Sequence, residues 1–208
     1  MRLKLLDFVI KKFIVLVMLL SGFVFAEDKI NLKVGYIPIT DHLLLGVAEA
    51  RNKNGFSNFS LETVKFPDMG TLSEGLRSGS LDGGFLLAPL AFQAGLKGAK
   101  IKILALGHRN GSAFLVRVKS EINSIEDLKN KTIAIPHRFS THNMLLHMYT
   151  SGNGLIPGKD FKVIELVPTE MPASMANGSI DGYIVAEPFA SRGELLGIGK
   201  IFVLSKDI

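Results

Sequence analysis

The chain of 208 residues has no cysteine and no tryptophan. Without cysteine it has no disulfides, no thiolate metal sites and no lipid-anchored cysteine at its N-terminus. Histidine does not fill the gap. His137, His142 and His147 are spaced by five, which spreads them around a helix, whereas a helical metal pair stacks its ligands at i, i+4. No Lys/Arg run with interleaved aromatics occurs, so a nucleic-acid partner is not indicated. There is no nucleophile elbow, phosphate-binding glycine loop or zinc-protease motif, and Gly79, Gly83 and Gly84 do not make GxGxxG.

Long apolar runs are also scarce. The one that stands out, Phe13 to Leu20, is shorter than the ~20 residues that span a bilayer. Arg2, Lys4, Lys11 and Lys12 precede it, and Val24-Phe25-Ala26 follows, ahead of the polar Glu27-Asp28-Lys29. That order is a secretory signal, with cleavage expected after Ala26 and the periplasm as destination; an uncleaved anchor is the alternative. Charge of one sign is scarce once residues 1–26 are set aside, because the net charge falls from +5 to +2. The remainder suits one ordinary domain or two small lobes.

What the chain does have is a repeat. Gly79-Ser80-Leu81-Asp82-Gly83 returns 99 positions later as Gly178-Ser179-Ile180-Asp181-Gly182. A proline step follows each, Ala88-Pro89-Leu90-Ala91 and Glu187-Pro188-Phe189-Ala190. Thr40-Asp41-His42-Leu43-Leu44 is echoed by Ser140-Thr141-His142-Asn143-Met144. The period exceeds the roughly 20–50 residues of a solenoid unit. It points to two similar α/β units facing each other across a cleft, where small ligands bind.

Hydrophobic alternation predicts strands over 29–37, 59–66, 85–87 and 101–106 in the first unit, and over 113–118, 132–135, 161–167 and 183–185 in the second. Helices are expected over 42–52, 71–77, from Pro89, over 142–150 and over 172–177. Strands alternating with helices argue for an α/β fold with mainly parallel sheets. The expected organisation is lobe one over 27–108, lobe two over 113–186, and an incomplete return segment over 187–208. Unit one would then lack its closing helices.

In open α/β sheets ligands sit beyond the carboxyl ends of the strands. The segments that reach that edge hold the candidate ligand-binding residues. They are Thr40, Asp41, His42, Thr71 and Ala88 in the first unit, and Arg138, Ser140, Thr141, His142, Asn143 and Glu187 in the second. Helix starts offer free N–H groups to an anion or a polar head group, yet Ser, Thr and Asp at such positions also serve simply as caps. Asp41 and Glu187 disfavour a bare anion unless they cap helices, pair with Arg109 or Arg138, or hold a cation alongside it; a zwitterion or an amine-bearing solute is the alternative. Asp82 and Asp181, each after Gly-Ser, read as turn formers.

The strand ending Gly35-Tyr36-Ile37-Pro38-Ile39-Thr40-Asp41 carries a resemblance together with three further segments. These are Gly79 to Leu90, Ser140-Thr141-His142-Asn143, and Gly178 to Phe189. The chain resembles the periplasmic solute-binding proteins of the nitrate/sulfonate/taurine ABC importers, most of all the nitrate- and bicarbonate-binding branch. The resemblance covers Lys33 to Phe189. It implies a type II periplasmic-binding fold whose two lobes close on one small solute, no catalysis, no cofactor, and an ABC permease as partner and only membrane contact. Its cleft positions fall on Thr40, Asp41, Thr71, Thr141, His142 and Glu187. The chain departs from that branch in lacking a tryptophan before Gly70-Thr71, where Met69 stands, and in ending before the return to lobe one. The solutes implied are an oxyanion, a sulfonate or a related small molecule. The same fold also serves cytoplasmic enzymes of pyrimidine- and menaquinone-precursor synthesis, and sensor domains of membrane receptors. The signal sequence argues against the first, and the second needs a membrane helix downstream.

Overall fold

The computed structural model describes residues 29–52, 55–107 and 109–208. The signal read over 1–26 lies outside them. Contacts divide the chain into Met1–Ile30 and Asn31–Ile208. The sheets and helices belong to the second unit, apart from Ile30 at the start of the first strand.

Two sheets organise it. The first has the order β2-β1-β3, formed by β1 (Ile30–Tyr36), β2 (Phe59–Lys65) and β3 (Gly83–Gly84). The second has the order β6-β5-β7-β4-β8. Its strands are β4 (Ser112–Arg117), β5 (Thr132–Ile135), β6 (Lys162–Glu165), β7 (Gly182–Ala186) and β8 (Gly199–Leu204). β5 runs parallel to β6 and β7, while β4 runs antiparallel to β7 and β8. The α/β class expected from the sequence is therefore realised with one mixed sheet. β7 is buried at all five residues, as a central strand covered on both faces requires.

The helices are α1 (Leu43–Arg51), α2 (Met69–Ser78), α3 (Ala88–Leu96), α4 (Thr141–Ser151), α5 (Met171–Ala176) and α6 (Phe189–Leu195). Local chemistry sets their ends. Asp68 caps α2 by accepting from the Thr71 N–H, and Ser140 caps α4 by accepting from the Asn143 N–H. α2 stops at Gly79, whose φ of 75° is left-handed. Pro89 sits in the first turn of α3, where its missing N–H costs little.

The sequence repeat has a physical form. Asp82 Oδ2 accepts from the Lys33 N–H at 2.8 Å, and Asp181 Oδ2 accepts from the Thr132 N–H at 3.0 Å. Both pairs are 49 residues apart in sequence. Each aspartate also donates its own N–H to the same residue's carbonyl. Val34 registers with Gly83, and Ile133 with Gly182. The repeated block is thus a turn that delivers β3 alongside β1 in the first sheet and β7 alongside β5 in the second. Turn-forming aspartate is the correct reading of both residues.

Three expectations differ from what is found. Residues 101–106 form no strand. β3, two residues long, pairs with β1, and no described strand lies beside 101–106. Without a partner edge the apolar pattern cannot be buried, and Leu104 stands 93% exposed. Second, residues 85–87 form no strand; the short strand there is Gly83–Gly84, just before them. Leu72 and Leu76 of α2 occupy the space a side chain at Gly84 would need. Third, residues 199–204, read as part of the return to lobe one, extend the second sheet through β8.

One core cluster joins the sheets: Ile37, Ile39, Met69 and Leu72 pack with Leu115, Val185, Ala186 and Phe189. A second cluster, with Phe114, Ile133, Leu146 and Ile184, belongs to the second sheet alone. Burying each such large apolar side chain contributes roughly 1.5–3 kcal/mol.

Candidate functional site

Three strands, β1 of the first sheet and the parallel pair β5 and β7 of the second, end beside one cavity. β1 runs into buried Ile37 and Ile39, β5 into Pro136, and β7 ends on Val185 and Ala186. These residues line a cavity of about 20 Å³ together with Asp68, Met69, Leu87, His142 and Pro168. The cavity lies at the carboxyl ends of the strands, where open α/β sheets hold ligands. Its volume is room for about one water. Its wall is mostly apolar, and among the described residues Asp68 and His142 are the only ionisable side chains in it.

His142 is 3% exposed. Its Nε2 lies 2.9 Å from Ser112 Oγ, and its Nδ1 is buried with no hydrogen-bond partner. Burial pushes its pKa down to about 4, against an opposing pull from the Asp41 carboxylate. The ring is therefore neutral at physiological pH. With Ser112 donating to Nε2, Nδ1 carries the proton and presents one donor; the other tautomer presents one acceptor. Either way a buried ring nitrogen without a partner is costly in a protein interior, and a ligand group can relieve that cost.

The remaining predicted residues divide between this cavity and structural tasks. Thr40 opens a short 3-10 turn, and both its N–H and its hydroxyl donate to the Glu187 carbonyl, at 2.9 and 3.2 Å. This bond ties the first sheet to the segment leaving β7. Glu187 Oε2 accepts from the Ser191 N–H at 2.9 Å and so caps α6. Asp41 acts on the site through its charge on His142. His42, the sequence echo of His142, is structural: its Nδ1 accepts from the Ile37 N–H at 2.9 Å and its ring leans on Phe85. Thr71 donates its N–H and its hydroxyl to Asp68. Ala88 only starts α3; its neighbour Leu87 is the one that lines the cavity. Ser140 is 2% exposed and is used as a cap. Thr141 is the first residue of α4. Asn143 Nδ2 donates to the Arg138 carbonyl. Arg138 points outward, 70% exposed, and is held by Glu165 at 2.8 Å.

Sequence reasoning missed Asp68, Ser112, Leu87 and Val185. Asp68 was legible: Asp three residues before Thr71, ahead of an apolar run, is an N-cap pattern. Ser112 was not, because its meeting with His142 joins β4 to α4 across 30 residues. No group of three or more His, Asp or Glu among the described residues is arranged to hold a metal ion, and no described helix is long and apolar enough to cross a membrane.

The profile of the NMT1-like family matches residues 26–208. The nitrate import ATP-binding protein NrtC of Synechocystis sp. is 30% identical over 201 residues, covering 87% of this chain and 30% of that protein. The taurine-binding periplasmic protein of Escherichia coli is 29% identical over 193 residues, covering 91% of this chain and 58% of that one. Among solved structures, a ligand-binding component of an ABC-type import system from Staphylococcus aureus, crystallised with zinc bound, is similar with a TM-score of 0.77 and 34% identity. That match covers 86% of this chain and 62% of the other. The chain thus spans less than two thirds of the length of each of these relatives.

Proposed function

The chain belongs to the NMT1-like family, and from that premise we propose that it is the solute-binding component of an ABC-type importer. It captures one small molecule and presents it to a permease, without performing chemistry. The observation that carries the proposal is the cavity at the carboxyl ends of β1, β5 and β7, with the unpartnered Nδ1 of His142 in its wall. A receptor needs a desolvated pocket with few polar contacts, and this is such a pocket. At about 20 Å³ it is smaller than a small organic solute, so binding requires its walls to separate. A solute enters when the two sheets part and is trapped when they close, with the bond between Thr40 and Glu187 near the pivot.

The lobes of this receptor are residues 27–108 and 113–186, with 187–208 continuing from the second. Residues 1–26 direct export, so the working compartment is the periplasm. Its candidate solutes come from its relatives, whose names carry nitrate and taurine. The test is calorimetric titration of the purified protein with nitrate, bicarbonate, taurine and alkanesulfonates, alongside neutral and cationic organic solutes. Saturable one-to-one binding that weakens in His142→Asn supports the receptor; no binding by any class overturns it.

A further inference from the structure

At each helix start beside this cavity, one of the N–H donors that an anion would use is already capped. An oxyanion is held in a protein by free N–H groups at helix starts, or by Lys and Arg. Here Asp68 occupies the Thr71 N–H at the start of α2, and Ser140 occupies the Asn143 N–H at the start of α4. The Ser191 N–H of α6 is held by Glu187, and the Thr40 N–H by the Glu187 carbonyl. Among the described residues no Lys or Arg lines the cavity. The charged side chain that does line it is the carboxylate of Asp68, and the Asp41 carboxylate acts on His142 from nearby. The formal charges nearest the pocket are therefore carboxylates. The rest of the wall is hydrocarbon, in which an unpaired anion loses far more hydration than it regains.

Resting on the receptor reading above, we infer that the solute is a small organic molecule with an apolar body and no net negative charge. One polar group meets His142 Nδ1, and any positive charge lies toward Asp68. An amine or an amide on a short hydrocarbon frame has these properties. Nitrate, bicarbonate and simple sulfonates do not. The neutral state of His142 fits the same class, since a neutral ring offers a single hydrogen bond and no charge to attract an anion.

Probes that share a body and differ only in the head test this. Propylamine and butyramide are titrated into the full chain against propanesulfonate and butyrate, with nitrate and bicarbonate as inorganic probes. The amine or the amide binds at least about tenfold more tightly than either anion, a gap that one unmatched charge in an apolar site readily produces. In His142→Asn, affinity for the better of the two falls about tenfold, the loss of one buried hydrogen bond. Asp68→Asn retains an N-cap side chain and thus the fold, while removing the charge. In that variant the preference for amine over sulfonate shrinks about tenfold. Tighter binding of nitrate, bicarbonate, sulfonate or butyrate overturns the inference and leaves the receptor reading standing. Binding by none of the probes overturns both. An Asp68→Asn protein with unchanged selectivity removes Asp68 from the site and overturns its electrostatic role.

Discussion

At the scale of the residue, His142 is where burial and chemistry meet. Its folded pKa of about 4 lies below the ordinary value of 6.5 because burial penalises the charged ring. Between those values the unfolded chain binds the extra proton and the folded chain does not. Stability is therefore complete above about pH 6.5 and is lost as pH falls toward 4. At pH 4.5 this one group costs about 2.5 kcal/mol. Urea unfolding of wild type and His142→Asn at pH 7 and 4.5 isolates it. The variant is the less stable at pH 7, having lost packing and the bond to Ser112. Its deficit shrinks by roughly 2 kcal/mol at pH 4.5. Parallel pH curves for the two proteins would show that the ring titrates normally.

Elements show how one sequence block is used twice under different loads. Asp82 and Asp181 make equivalent backbone bonds, but Asp181 also accepts from the Arg117 guanidinium at 3.0 Å, in a pair that is less than a third exposed. Asp82→Ala should cost about 1 kcal/mol, the worth of a hydrogen bond to the backbone. Asp181→Ala should cost about 2–3 kcal/mol, because it also strands a half-buried arginine. Equal losses in chemical denaturation would mean that the ion pair contributes nothing. The segment 101–106 makes the opposite point. Leu104→Lys should change the unfolding free energy by less than about 0.5 kcal/mol, as at other exposed positions. Leu115→Ala, at a fully buried position of β4, should cost about 2–5 kcal/mol. A large loss at Leu104 would mean that 101–106 is paired after all.

Those same elements mark what the sequence makes legible. Alternation and caps located β1, β2, β5, α1, α2 and α4 within a residue or three, because their signals are local: Ser140 and Gly79 act within one turn of chain. The repeat marked two equivalent aspartate turns, and the structure shows what each does: one delivers β3 beside β1, the other β7 beside β5. The failure at 101–106 is one of context, as a strand exists only where an edge accepts it. What was legible is the cavity's place at the strand ends and the presence of His142 in its lining; that a solute binds there is the proposal. Whether each polar helix start faced a ligand or capped its own helix was decided by distances of about 3 Å, which composition does not encode. Hence Ser140 serves as a cap, Thr71 donates to the cap Asp68, and Glu187 accepts from the first turn of α6.

On the scale of the whole molecule, a solute held between the sheets must stabilise the folded chain. At a concentration one hundred times Kd the gain is about 2.7 kcal/mol, visible as a rise in Tm that saturates with a single site. Export makes a separate prediction. Protein recovered from the periplasm should begin at Glu27, whereas a chain beginning at Met1 in the cytoplasm would favour an enzyme of the same fold. The most direct measurement is a crystal structure of the protein grown with a solute that raises its Tm. Solute density between the ends of β1, β5 and β7, within hydrogen-bond distance of His142 Nδ1, is the result expected of a closed receptor. Density for the solute elsewhere, with His142 Nδ1 still lacking a hydrogen-bond partner, would contradict it.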